Sequence, residues 1–190
     1  MSPPITKYFS CGTYQPYRVC GVDNPHRNEL TFKMMDLKNP SCAGHQKAVA
    51  YFADLWLQTL SRVAINGKPL VDLAHQLNIA IIPRHEKDKV APGLLNLAKI
   101  VYKELTQSKS TFPIVLRRKT TIASAHNGGD RSVYIHQQSI EVVPRTLRLG
   151  LPTLLLDDVK TTGASMNACK NLLESAGSGI VIPCPLLETA

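Results

Sequence analysis

The stretch Thr153-Leu-Leu-Leu-Asp-Asp-Val-Lys-Thr-Thr-Gly-Ala-Ser165 limits what this chain can fold into more than any other. Three apolar residues, Leu154 to Leu156, run directly into two adjacent carboxylates, Asp157 and Asp158. A hydroxyl-rich turn follows, and apolar residues then recur at 166, 169, 172, 173 and 176 before Gly177. That spacing predicts a helix ending at a glycine C-cap. The unit reads strand, acidic tip, turn, helix. In open α/β sheets ligands bind beyond the carboxyl ends of the strands. A helix starting there offers unpaired N–H groups and the positive end of its dipole to an anion. Gly163 allows close backbone approach, and Thr161, Thr162 and Ser165 add hydroxyl donors, so the turn suits a phosphate monoester. The two aspartates would repel that phosphate. They suit the neighbouring hydroxyls of a sugar, or a divalent cation held through water. One phosphate and two hydroxyls together describe a ribose 5-phosphate.

On those residues, Leu154 to Ser165 resembles the phosphoribosyl-pyrophosphate (PRPP) motif of type I phosphoribosyltransferases. The resemblance implies that Asp157 and Asp158 hold the ribose 2′- and 3′-hydroxyls, act in catalysis and contact Mg²⁺ indirectly, via water or the ribose. It implies that Val159, Lys160, Thr161, Thr162, Gly163, Ala164 and Ser165 line the 5-phosphate. Lys160 departs from the apolar or aromatic residue common at this place. It either helps to neutralise the phosphate or is simply solvated.

A second strand–turn–helix unit precedes the first. Ile79 to Ile82 reads as a buried parallel strand. It runs into Pro83-Arg84-His85-Glu86-Lys87-Asp88-Lys89, and a helix with Leu94, Leu95, Ala98, Val101, Tyr102 and Leu105 on one face follows. The corresponding loop of the resembled family holds pyrophosphate and metal, which assigns Arg84, His85 and Lys87 to pyrophosphate, with Lys89 a weaker candidate. Phe112 to Leu116 reads as the next strand, entering Arg117-Arg118-Lys119. The polar segment 120–138, with His126-Asn-Gly-Gly-Asp-Arg131, has no apolar period, and loops of this length in compact domains are usually functional or mobile. The resemblance makes 117–142 a flexible hood that closes over the pyrophosphate, with Arg131 catalytic and Arg117, or else Arg118, on the leaving group. His126 and His136 are candidates for proton transfer, though exposed loop positions suit them better. Ser139 to Val143 reads as the strand returning from the hood.

Elsewhere, residues 1–30 read as an irregular N-terminal extension or edge strand, and Lys33 to Asn39 as a brief amphipathic piece. A core-covering helix is expected from about His45 to Val63, with Trp56 in the core. Gly179 to Pro183 reads as a last strand and Cys184 to Ala190 as a tail. The alternation of strands and helices predicts an α/β fold, a mostly parallel sheet with helices on both faces. At 190 residues the chain suits one domain.

Composition bears mainly on partners. Between Arg84 and Arg148 there are 12 Lys/Arg against 5 Asp/Glu, and 10 against 9 elsewhere, so the net charge of +8 is concentrated in the middle. Such a field calls for an anionic partner: PRPP accounts for part of it, and nucleic acid is the rival. The five cysteines are scattered without a Cys-x-x-Cys pair. A metal site on Cys11 and Cys20 with His26 or Cys42 is the less favoured reading beside reduced structural thiols. The start lacks the apolar core of a signal peptide, and no run of about 18 apolar residues occurs, so the expectation is a cytoplasmic protein without a membrane span.

The order Ile-Ile-Pro-Arg-His85, Leu-Arg-Arg-Lys119, Asp-Arg-Ser132 and the PRPP motif is similar to the ComF-type, amidophosphoribosyltransferase-like branch, which is tied to DNA uptake. Met35 to Lys38 also matches its segment before the first core helix. The paired N-terminal Cys-x-x-Cys elements and the Arg-Gly-Phe-Asn-Gln run of that branch are absent. The leading expectation is a phosphoribosyltransferase that uses Mg-PRPP to modify a nitrogen acceptor, nucleobase or amine, with release of pyrophosphate. The second is a non-catalytic PRPP-fold module in DNA handling. Dimers are common in the resembled family, so a homodimer is one expected state.

Overall fold

Alternate residues of the stretch that ends at Asp157 go to opposite sides of a sheet: Leu154 and Leu156 enter one buried cluster, Leu155 another. The same segregation occurs in the neighbouring strand, with Ile79 and Ile81 on one side and Ala80 and Ile82 on the other. Period-two side chains that are apolar in both phases belong to a strand buried on both faces.

The structure, a computed structural model, describes residues 5, 7–65, 67–107, 111–123 and 132–190. In chain order its elements are β1 (Thr13–Tyr14), β2 (Arg18–Val19), β3 (Val22–Asp23), α1 (Glu29–Lys38), α2 (His45–Leu60), β4 (Ala64–Ile65), β5 (Lys68–Pro69), a 3-10 helix (Leu70–Gln76), β6 (Asn78–Ile81), α3 (Pro92–Thr106), β7 (Leu116–Arg118), α4 (Val133–Ser139), β8 (Ile140–Val142), β9 (Thr153–Lys160), α5 (Ala164–Ser175) and β10 (Val181–Thr189). The central sheet has the order β1–β10–β9–β6 and is parallel throughout. The expected α/β fold with a parallel sheet is therefore what the chain forms.

One face of the sheet carries α1, α2 and α3, whose buried Met34, Leu37, Phe52, Trp56, Leu97 and Val101 join Leu154 and Leu156. The other carries α5, where Met166, Cys169 and Leu173 meet Leu155, together with the β7–β8 ribbon and α4. α1 begins at a capping box in which Asn28 and Thr31 exchange hydrogen bonds, and it is longer than the brief piece expected at 33–39. α1 and α3 meet closely at Gly93, where a Cβ would lie 2.2 Å from the Leu37 carbonyl oxygen.

Three sequence expectations are corrected. Residues 112–115 are not in a strand; β7 starts at Leu116 and pairs antiparallel with β8 rather than with the central sheet. The segment expected to be loop up to 138 contains α4, started by the Ser132 side chain, which accepts from the Ile135 N–H. The tail after Pro183 is strand, because it has partners on both sides. β9 pairs along one edge, and on the other the Phe9 and Cys11 amides donate to the carbonyls of Pro183 and Leu186 at 3.0 and 2.8 Å. Those bonds lay the segment around Phe9 and Cys11 along β10, and Thr13–Tyr14, β1, pairs with it as strand.

Candidate active site

β9 is fully buried through Leu156, where its pairing with β6 stops, and becomes partly exposed at Asp157, where the acidic tip begins while the pairing with β10 continues to Lys160. The tip is internally organised. The Asp158 N–H donates to Asp157 Oδ1 at 2.9 Å, and the Val159 N–H donates to Asp158 Oδ1 at 2.6 Å. Burial, and then the charge of Asp158, push the Asp157 carboxyl well above the usual carboxylate range, with Lys38 opposing. Lys38, the last residue of α1, reaches Asp158 Oδ2 at 3.1 Å.

The turn beyond the tip reaches α5 through Gly163, which has φ +77°. A left-handed backbone favours glycine here. The N-cap of α5 is Gly163 itself, which has no side chain to accept from the first-turn N–H groups. Thr162 Oγ1 accepts weakly from the Ala164 N–H at 3.4 Å, and Asn167 closes the turn by donating to the Gly163 carbonyl at 3.0 Å. Lys160 is not merely solvated. Its ammonium pairs with Glu188 at 3.2 Å and lies 4.5 Å from the centre of the Tyr8 ring.

The turn after β6 is tied to β7 and the residues that follow it. Arg118 Nε donates to the Arg84 carbonyl, the Asp88 N–H to the Arg118 carbonyl at 3.0 Å, and the Ile122 N–H to the His85 carbonyl at 3.0 Å. The Lys87 N–H adds a bond to Thr121 Oγ1 at 2.9 Å. Arg118 is 1 % exposed, and its other contacts are Ser139 Oγ and, at 3.4 Å, His136 Nδ1. Burial lowers its pKa, yet a guanidinium stays protonated in proteins. A buried cation is costly without a partner charge, and among the described residues no carboxylate pairs with it.

These pieces enclose a cavity of about 500 Å³ at the carboxyl end of the sheet. Asp157, Asp158 and Ser165 stand on one wall, Arg84, His85, Arg118 and His136 on another, and Leu37, Lys38 and Gly93 close a third. The volume is in the ordinary range of small-molecule sites.

The structure thus sorts the residues singled out from sequence. Asp157, Asp158, Ser165, Arg84 and His85 share the cavity. Val159, Lys160, Thr161, Thr162, Gly163 and Ala164, the end of β9, the turn and the start of α5, do not line it. Arg117 points away: it is half-exposed and pairs with Glu141 and, at 3.7 Å, with Asp88. Its neighbour Arg118 takes the cavity position, because consecutive strand residues face opposite ways. Lys87 does not line the cavity. Arg131 and His126 lie outside the described residues. Lys38 and His136 also line the cavity: the first arrives from the end of α1, in a segment that sequence matched to the family without assigning it to the site, and the second belongs to α4.

A divalent cation fits this donor set only in part. No group of three His, Cys, Asp or Glu side chains gathers among the described residues, at the cavity or around Cys11 and Cys20. Two carboxylates suit a cation that takes most of its ligands from water and from phosphates, as Mg²⁺ does. No helix among the described residues is long and apolar enough to cross a membrane.

Two curated proteins are similar to this chain. An adenine phosphoribosyltransferase of Saccharopolyspora erythraea is 30% identical over 104 residues, 55% of this chain and 57% of that protein. An adenine phosphoribosyltransferase of Dichelobacter nodosus is 38% identical over 52 residues, 27% of this chain and 30% of that protein. The chain therefore aligns with little more than half the length of the first relative and less than a third of the second. No protein-family model matches it.

Proposed function

We propose that this protein is a phosphoribosyltransferase that moves the 5-phosphoribosyl group of Mg-PRPP to a nitrogen acceptor and releases pyrophosphate. The observation that carries the reading is one cavity lined by two carboxylates and by a buried guanidinium, Arg118, that no carboxylate among the described residues pairs with. A ligand with a diol at one end and a polyanion at the other satisfies both. The similarity to two adenine phosphoribosyltransferases supports the same class and makes adenine the first acceptor to try.

In this reading the first turn of α5, with Ser165, receives the 5-phosphate. Asp157 and Asp158 take the ribose hydroxyls and fix the ring. Arg118 and Arg84 face the pyrophosphate, whose negative charge grows as the C1–O bond breaks. Arg118 is held in place by its bonds to the Arg84 carbonyl and Ser139, so its stabilisation is preorganised, while the Arg84 guanidinium is half-exposed and pairs with Glu86 at 3.6 Å. Asp157 and Asp158 would hold Mg²⁺ indirectly, through water or the sugar, and the ion would supply neutralisation of phosphate charge. The acceptor nitrogen attacks C1 and gives up its proton, for which His136 and His85 stand at the cavity wall. Arg131 belongs to the proposal as a hood cation on the leaving group.

The test is pyrophosphate release from PRPP with Mg²⁺, with adenine and then other bases and amines, in wild type and in Asp157→Asn and Asp158→Asn. Turnover with at least one acceptor, lost in both variants, is expected. Absence of PRPP binding, with the variants indistinguishable from wild type, would sink the reading. The ComF-like alternative, a DNA-handling module, draws on the positive balance of 84–148. It is weakened by the engagement of Arg117 with Glu141 and by the burial of Arg118. Salt-sensitive DNA binding abolished by charge reversal at Arg117 and Lys119 would favour it.

A further inference from the structure

The acidic tip is already engaged by a cation of the protein's own. Asp158 has two carboxylate oxygens: Oδ1 accepts from the Val159 amide, and Oδ2 is taken by the Lys38 ammonium at 3.1 Å. Asp157 Oδ1 accepts from the Asp158 amide. A sugar diol or hydrated cation that reaches Asp158 through Oδ2, the oxygen not turned to the backbone, must therefore share it with Lys38 or displace Lys38 from it. Backbone amides held by β9 do not move aside. A lysine with four rotatable methylenes does.

We propose that Lys38 is a built-in competitor at the ribose subsite, a positioning residue that holds Asp158 in place and must withdraw when ligand binds. The inference rests on the Mg-PRPP reading of the cavity.

Two features make withdrawal cheap. The Lys38 side chain is 46% exposed while Asp158 is 23% exposed, so the ammonium has open solvent beside it and the carboxylate does not. Lys38 also closes the last turn of α1, where C-terminal carbonyls favour a cation. A displaced Lys38 is thus left neither buried nor without favourable surroundings. The ion pair is half-exposed, so its loss on ligand binding is a modest term. Its effect is to lower apparent affinity and to link ligand binding to the end of α1. That helix end packs next to Gly93, where α3 begins at the cavity wall.

The experiment compares wild type, Lys38→Met and Lys38→Arg. Ribose 5-phosphate binding in the presence of Mn²⁺ is followed by titration calorimetry, and Mn²⁺ alone by electron paramagnetic resonance. Lys38→Met should bind roughly two- to fivefold tighter, the scale of a half-exposed ion pair, and Lys38→Arg should stay near wild type. Unchanged affinity in Lys38→Met would overturn the proposal by making Lys38 a bystander. Weaker affinity would overturn it too, by making Lys38 a direct ligand of the phosphates. Either result leaves the cavity reading standing. If ribose 5-phosphate binds to none of the three proteins, the cavity reading itself fails and the competition fails with it.

Discussion

The hydroxyl of Tyr8 sits over Gly163, 2.6 Å from the place a Cβ on that residue would occupy. The N-terminal segment therefore covers the turn at the start of α5, and Ile5 reinforces the cover by donating its N–H to Asn167 Oδ1 at 2.8 Å. Gly163 is constrained twice, by its φ of +77° and by the phenol above it.

That double constraint can be separated by mutation. Gly163→Ala should cost about 1–3 kcal/mol, combining left-handed backbone strain with displacement of Tyr8. Tyr8→Phe in the same background removes the nearest atom and should restore part of the loss, leaving the backbone component. Urea unfolding of the two single variants and the double variant gives the coupling. Strict additivity would show that Tyr8 does not rest on the turn.

Arg117 and Arg118 provide the sharpest contrast between neighbours. Removing the exposed Arg117 side chain breaks its contacts with Glu141 and Asp88, yet Arg117→Ala should leave stability close to that of wild type, because solvent screens exposed ion pairs. Arg118→Met removes the buried cation on the cavity wall. It should lower kcat/KM for PRPP by roughly a hundredfold or more, the scale for losing a preorganised charge at a developing anion. Steady-state kinetics on both variants check this. Equal losses would place Arg117 at the site as well.

Much of this was readable from sequence because it is local. The acidic tip, the glycine turn and α5 are consecutive in the chain, and β6, α2 and α3 announce themselves by apolar period. What was not readable depends on partners distant in sequence. The choice between Arg117 and Arg118 turns on which face of β7 packs inward, and that follows from its pairing with β8. The extension of β10 past Pro183 requires the N-terminal segment alongside it. Lys38 reaches Asp158 across 120 residues of sequence, and a lysine at a helix end looks in isolation like an ordinary dipole partner.

The cysteines should divide by burial. Cys169 and Cys184 are fully buried and burial pushes both thiols up, while Cys11 is raised to about 11 by the same cause. Cys20 is exposed. With an aromatic disulfide reagent at pH 8, Cys20 should react quickly in the native protein, whereas Cys169 and Cys184 should react only at the rate of unfolding. Peptide mapping of the labelled protein identifies the sites. Rapid labelling of Cys169 would mean that α5 opens far more readily than its packing implies.

The raised carboxyl of Asp157 fixes the sign of a pH effect. A native pKa above the unfolded value means that the folded state holds a proton which the unfolded chain has already released. Below the ordinary carboxyl range, about pH 4, both states are protonated and Asp157 is neutral in its effect. As pH rises beyond that range the unfolded chain ionises first, so this group erodes stability until the native carboxyl ionises too, after which its cost is constant. Asp157→Asn removes the titration. The variant should gain stability relative to wild type as pH is raised from 4 to 8, while losing affinity for ribose 5-phosphate. Urea midpoints across that range test the sign. A stability difference that stays flat with pH, or that shifts against the variant, would show that Asp157 ionises in the folded protein as readily as in the unfolded chain.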